Sequence, residues 1–430
     1  MTCARAHIFL PDLYLANLIS LACALSIYLI AELLLKNGAR GDDGMVNGDG
    51  DSALTVASTF GAGTCAAIVL ATLPTTASSA SNLPPRGTHR NSAGKGAVYL
   101  AATHNHLKTL NVLLSCGLSP DLPHATNGDT PIMACARSGS SHLACAQRLL
   151  EAGCNLELVD AASGDDVLCA AARVGNEGLV ELLIEGHAPP PCRCLPGHRN
   201  LHSGDTALML AVAKGSLACV TKLVHMPGAP LAAQNATGDS ALTWAVWYGH
   251  EQIVRELLRA GAPPNLPTAK GETALMFAAY RNQPKVCSLL LEAGADLHAR
   301  NANGDGPLAL AAGCGNSPDC CRLLLGTTAS ADESDGAAGG GARGQKSGRA
   351  NMIDANVRDG QGHTPLMLAV GQGNMACAEV LLATGQVLLG HHIRICDTHT
   401  RVAFRKFALD SAGFVWGSVF FYNSAVARLD

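Results

Sequence analysis

Gly238-Asp239-Ser240-Ala241-Leu242-Thr243-Trp244-Ala245 is answered 33 residues later by Gly271-Glu272-Thr273-Ala274-Leu275-Met276-Phe277-Ala278. After another 33 residues comes Gly304-Asp305-Gly306-Pro307-Leu308-Ala309-Leu310-Ala311. Self-similarity at a period of this length marks a stacked repeat, because one such unit cannot bury its own apolar face and its neighbours must cover it. Ser240 or Thr273, two residues after the glycine, is placed to cap a short helix with its hydroxyl. Leu242, Trp244 and Ala245 then face the core, and Phe277, at the offset of Trp244, is expected there too. Gly249-His250 breaks the chain. Ile253, Val254, Leu257 and Leu258 place one apolar stripe on a second helix, and Gly261 supplies the left-handed residue that ends it.

The pattern extends in both directions. Gly50, Gly94, Gly128, Gly164, Gly204 and Gly362 open further copies, and counting back from Gly38 puts a degenerate first copy at Ile19, which makes ten. Surplus residues between openings map to loops. The expected organisation is therefore 1–45, a degenerate first repeat or an apolar anchor; 46–325, a repeat array with insertions near 74–92 and 189–200; 326–355, a Gly/Ala-rich disordered insertion; 356–385, the last repeat; and 386–430, a Phe-rich tail.

Gly128-Asp129-Thr130-Pro131-Ile132 and Gly362-His363-Thr364-Pro365-Leu366, with the ending Leu290-Leu291-Glu292-Ala293-Gly294-Ala295-Asp296, resemble the ankyrin repeat. That family opens on Gly-x-Thr-Pro-Leu-His-x-Ala and closes its second helix on Leu-Leu-x-x-Gly-Ala. The resemblance implies an all-α solenoid of stacked helix-turn-helix units with short hairpin turns. It also implies a protein-binding scaffold with no catalytic role, whose partner lies on a concave groove of turn tips and exposed first-helix sides.

Composition agrees with close helix packing: apolar residues are 48% and aromatics only 4%, so the core is built of Leu, Ala and Val. A net charge of −4 gives no reason to expect nucleic acid. Of seventeen cysteines, Cys65, Cys219 and Cys377 lie fifteen residues after their glycines, and Cys287 and Cys320 sixteen after theirs. These are second-helix core positions where cysteine acts as a small hydrophobe, which predicts a reducing, cytoplasmic setting.

Two segments leave alternatives open. In residues 13–35 the only charge is Glu32, so the stretch reads either as the degenerate copy or as a membrane segment tethering an adaptor. The tail holds Phe404, Phe407, Phe414, Phe420 and Phe421, and reads as a cap on the last helix pair, as a docking or membrane-surface segment, or as a tail with no stable fold.

No catalytic constellation or cofactor motif emerges. Gly339-Gly340-Gly341-Ala342-Arg343-Gly344 fits a dinucleotide fingerprint by letter but neither follows a strand nor opens a helix. His250-Glu251 lacks the second histidine of a zinc protease helix, since Val254 stands there. Cys192, Cys194, His198 and His202 are the best metal candidates, yet their spacing matches no zinc motif and a solvated loop is the plainer account. Asp51, Asp129, Asp165, Asp205, Asp239, Glu272 and Asp305 fall one per copy at the same offset. That makes a row along an edge, with no convergent pair, and predicts solvated turn positions.

Nine and ten residues after each glycine lie the last exposed first-helix positions. They include Arg137, Arg173, Lys214, Trp247, Tyr248, Tyr280 and Arg281. Trp, Tyr and Arg are enriched at binding hot spots because they bury much area while keeping a polar handle. Trp247, Tyr248, Tyr280 and Arg281 are expected side by side across two copies; the competing reading folds Trp247 or Tyr248 over the neighbouring copy as packing. The basic positions suit a partner segment carrying acidic and apolar residues.

Overall fold

The computed structural model describes residues 46–72, 88–184, 197–326 and 353–384, together with 18, 20–25, 30 and 32–34. The insertion at 327–352 and the Phe-rich tail lie outside the described residues, as do most of 13–35 and of the 74–92 and 189–200 loops. The chain divides into two compact units, Met1–Ala236 and Thr237–Asp430.

In the first unit, five helix pairs succeed one another: Ala53–Phe60 with Gly63–Thr72, Ala97–Thr103 with Leu107–Ser115, Pro131–Arg137 with Leu143–Glu151, Val167–Val174 with Glu177–Ile184, and Ala207–Lys214 with Leu217–Val224. The second unit holds Ala241–Tyr248 with Glu251–Arg259, Ala274–Tyr280 with Pro284–Glu292, Pro307–Gly313 with Pro318–Leu324, and Pro365–Gly371 with Met375–Ala383. Within each unit first helices pack on first helices and second on second, so each pair covers its neighbour's apolar side. Among the described residues there is no strand; the turns carry only the isolated bridges Val46↔Ser52, Arg90↔Gly96 and Arg199↔Thr206.

Local sequence accounts for the helix ends. The Ser240 hydroxyl accepts from Thr243 N–H at 3.2 Å and Thr206 from Met209 N–H at 3.3 Å. Thr273 has the extended cap backbone, but its hydroxyl finds no partner among the described residues. Gly261, at φ +90, follows the second helix as expected. Ile253, Val254 and Leu257 are buried, and so are Cys65, Cys219, Cys287, Cys320 and Cys377, each fully. Burial pushes the Cys65 and Cys219 thiols up, which keeps them protonated and apolar in character.

Two rows of hydrogen bonds join successive copies. At the turns, a backbone N–H of one copy donates to a carbonyl of the copy before. Ala125 reaches Gly94 O at 2.9 Å, Ala161 reaches Asn127 O at 2.8 Å and Leu201 reaches Gly164 O at 2.9 Å; in the second unit Ala302 reaches Lys270 O at 2.8 Å. At the break between helices, a polar side chain ties the second helix to the preceding copy's first helix. His106 Nε2 lies 2.9 Å from Thr59 O and His142 Nε2 3.0 Å from Thr103 O. Asn176 Nδ2 donates to Ala136 O at 3.3 Å, Gln283 Nε2 to Val246 O at 2.9 Å and Asn374 Nδ2 to Ala312 O at 2.9 Å. Facing a carbonyl, each imidazole must carry its proton on Nε2.

Of residues 13–35, Ser20, Ala22 and Cys23 are buried, while Leu18, Leu21, Leu25, Ile30 and Leu33 are exposed. Among the described residues no helix is long and apolar enough to cross a membrane.

The second row yields a direct test. Asn176 is 4% exposed and also accepts from Leu179 N–H. Asn176→Ala should therefore cost about 1–3 kcal/mol in urea unfolding, the cost of a lost cap plus an unmade buried bond.

Candidate interaction surface

Helix Ala241–Tyr248 starts at the Ser240 cap and stops at Gly249, φ +76. Its buried side is Ala241, Leu242, Thr243, Ala245 and Val246, which turns Trp244, Trp247 and Tyr248 to the other side. In the next copy Ala274, Leu275, Met276, Ala278 and Ala279 are buried, and Phe277 and Tyr280 emerge. Trp244 and Phe277 thus correct the sequence expectation: both are half-buried and lie outside the core. Fully buried small residues, Ala245 on one helix and Ala278 and Ala279 on the other, leave no volume for a ring between the helices.

The rings form one connected group. Trp244 and Tyr248 meet edge to face with centroids 6.3 Å apart. Trp247 meets Phe277 edge to face at 5.6 Å and runs parallel to Tyr280, at 7° and 6.4 Å. The Arg281 guanidinium carbon stands 4.9 Å over the Trp247 ring, a cation–π contact. Trp247 therefore rests on the neighbouring copy, yet 40% of it stays exposed, as do 48% of Tyr248 and 40% of Tyr280. The indole N–H groups of Trp244 and Trp247, both tyrosine hydroxyls and the Arg281 guanidinium make no hydrogen bond to a described residue.

The basic positions of the first unit are placed differently. Arg137 lies 2.9 Å from Asp129 Oδ1 and 2.6 Å from Asp160 Oδ2. Arg173 donates from Nε and Nη2 to the two oxygens of Asp165 at 2.7 and 2.8 Å. Lys214, in the last turn of its helix, is exposed.

The acidic row corrects a second expectation. Asp129, Asp165 and Asp205 are buried, at 3%, 1% and 6% exposure, so they are not solvated turn positions. Each accepts from a neighbouring copy. Tyr99 Oη donates to Asp129 at 3.0 Å, Asn200 Nδ2 to Asp165 at 2.6 Å and Asn235 Nδ2 to Asp205 at 2.8 Å, and Asn91 Nδ2 does the same to Asp51 at 2.9 Å. Burial raises Asp129 above the ordinary carboxylate value, with Arg137 and Tyr99 opposing it in part. Burial acts on Asp160 too, but bonds from Ser163, Ala162 N–H and Arg137 outweigh it and hold its carboxyl below that value. Sequence carried a signal for these links. Asn91, Asn200 and Asn235 stand three or four residues before a glycine, and each paired acid stands just after the preceding one.

Of the four metal candidates only His198 and His202 lie among the described residues. His198 Nδ1 lies 2.8 Å from Asp166 Oδ2 and His202 Nε2 3.3 Å from Ala161 O, so both imidazoles serve turn packing; Cys192 and Cys194 lie outside the described residues. Among the described residues no group of three or more His, Cys, Asp and Glu is placed to hold a metal ion.

The acidic row predicts a sign. Arg173→Gln strands a buried carboxylate and should cost about 2–4 kcal/mol in urea unfolding. Adding Asp165→Asn removes the unpaired charge, so the double variant should recover part of the loss; a further loss would show that the carboxylate is sustained without Arg173.

Comparison with known proteins places the repeat. A family profile described as ankyrin repeats in three copies matches residues 75–160, 98–194, 168–268 and 253–335, and a single ankyrin repeat matches 361–389. No curated protein matches the chain. Among solved structures, it is similar to the ankyrin repeat domain of Bcl-3, described as a unique member of the IkappaB protein family. There identity is 23% over 53% of this chain and 96% of that one, with a TM-score of 0.47. It is also similar to the human ASB11 ankyrin repeat domain, at 26% identity over 53% of this chain and 96% of that one, with a TM-score of 0.44.

Proposed function

The chain belongs to the ankyrin-repeat family, and on that premise we propose that it is a non-catalytic scaffold whose partner protein binds the first-helix face of residues 241–281. Ankyrin repeats generally mediate protein–protein interaction. The observation that carries the finer reading is the contrast between its two sets of candidate residues. Arg137 and Arg173 are tied to buried carboxylates, whereas Trp247, Tyr248 and Tyr280 stay 40–48% exposed beside Arg281, with no hydrogen bond from their polar groups to a described residue. Exposed aromatics grouped with an arginine concentrate binding energy.

Arg281 suits an acidic residue on an otherwise apolar partner segment. The many buried, free thiols support a reducing, cytoplasmic setting. The alternative, a membrane-tethered adaptor anchored through residues 13–35, draws on the exposure of Leu18, Leu21, Leu25, Ile30 and Leu33.

Affinity capture from cell lysate tests the reading. A variant with Trp247, Tyr248, Tyr280 and Arg281 all changed to Ala, folded by circular dichroism, should lose partners that the native chain retains. Capture of the same set by both would overturn it.

A further inference from the structure

The aromatic face has a polarity that narrows what it can hold. Helices Ala241–Tyr248 and Ala274–Tyr280 contain no acidic and no amide side chain. The polar groups there that bond no described residue are two indole N–H groups and two tyrosine hydroxyls, followed by the Arg281 guanidinium. Indole and guanidinium groups donate only, and a phenol donates readily. The surface is therefore rich in donors and poor in acceptors.

A matching ligand offers acceptors and few donors of its own. A β-strand or an irregular peptide brings as many backbone N–H groups as carbonyls, and a helix hides both. A polyproline II segment leaves its carbonyls open because it makes no internal hydrogen bonds, and each proline lacks the N–H that this face could not satisfy. Its rings are also rigid and apolar, so little ordering entropy opposes their packing on aromatic faces. The rings here present two such places, Trp247 beside the parallel Tyr280 and Trp244 against Tyr248, with centroids 6.4 and 6.3 Å apart. Arg281 is the one formal charge in the group and favours an acidic residue next to the prolines. Single-stranded nucleic acid also stacks on aromatics, but it needs a line of cations for its phosphates. This group supplies one.

We propose that Trp244, Trp247, Tyr248, Phe277, Tyr280 and Arg281 bind a proline-rich protein segment in the polyproline II conformation, with an acidic residue flanking the prolines. The inference rests on the reading of this face as the partner site.

Fluorescence anisotropy with the full chain tests it. The probe is a labelled peptide of four Pro-Pro-Leu triplets ending in Glu-Glu; it is compared with the same peptide with Ala for every Pro, with a Lys-Lys ending, and with an oligouridine. The Pro peptide should bind about tenfold or more tighter than the Ala peptide, since the gain comes from preorganisation. Trp247→Ala should weaken it by about thirtyfold, as for a central hot spot. Arg281→Gln should weaken the Glu-Glu peptide by about three- to tenfold and should not weaken the Lys-Lys peptide, which loses a like-charge contact. Equal binding of Pro and Ala peptides, tighter binding of oligouridine, or no peptide binding would overturn the proposal. If the Pro peptide fails while the fourfold Ala variant still loses its captured partners, the interaction face stands and only the ligand class falls. If the captured partners are also unchanged, the face itself is not the site.

Discussion

The close approach between most of the opening glycines and the turn of the copy that follows is the constraint from which the rest of the structure takes its register. Gly238 sits at φ +79, and a Cβ there would run into the backbone nitrogen of Ala269; at Gly304, φ +81, it would stand 2.5 Å from the nitrogen of Gly360. The contact is close because the turns are hydrogen-bonded to one another, Ala269 N–H to Thr237 O and Gly360 N–H to Asn303 O. A side chain at this position would both strain the backbone and push the next turn away. That is a physical reason for a glycine to return every 33 residues. With the turns fixed, the helices of successive copies meet at distances filled mostly by Ala, Cys, Val and Leu.

The same links sort the polar residues into two kinds. Asp51, Asp165 and Asp205 after the glycines, Asn91, Asn200 and Asn235 before them, and His, Asn or Gln between the helices spend hydrogen-bonding capacity on the neighbouring copy. Arg137 and Arg173 are drawn into that system because buried Asp129, Asp160 and Asp165 need a cation. Among the described residues of the second unit, the aromatic group around Trp247 with Arg281 over it is not used by these links, and it is there that we propose a partner binds. The division between structural and available groups follows from burial and pairing, not from residue type, since arginines appear on both sides of it.

The period, the helix pairs, the cap at Ser240 and the buried cysteines are legible in the sequence because each depends on local spacing, whereas the Thr273 hydroxyl expected to cap finds no partner among the described residues. The contents of the acidic row are not legible in that way. Counting offsets finds the row, but whether Asp165 faces water or Asn200 depends on how close the next turn lies, and spacing within one copy says nothing of that distance. Trp244 and Phe277 were misplaced for a related reason. A large apolar residue at a core offset is expected in the core, whereas the alanines beside it close the space first. Arg281 over Trp247 was foreseen as adjacency across two copies, while its stacking geometry appears only with the side chains in place.

The comparison of Gly238→Ala with Gly261→Ala tests the central constraint most directly. Both glycines have positive φ, +79 and +90, but Gly261 has nothing within 4 Å of its hypothetical Cβ, whereas Gly238 faces the backbone of Ala269. Forcing alanine into the left-handed region costs about 1–2 kcal/mol at either site, and the entropy removed from the unfolded chain is the same. Urea unfolding of the full chain should therefore show Gly238→Ala losing about 1–3 kcal/mol more than Gly261→Ala, the extra being the displaced turn. Equal losses would mean that the glycine serves backbone conformation alone and that the contact between turns does not set the register.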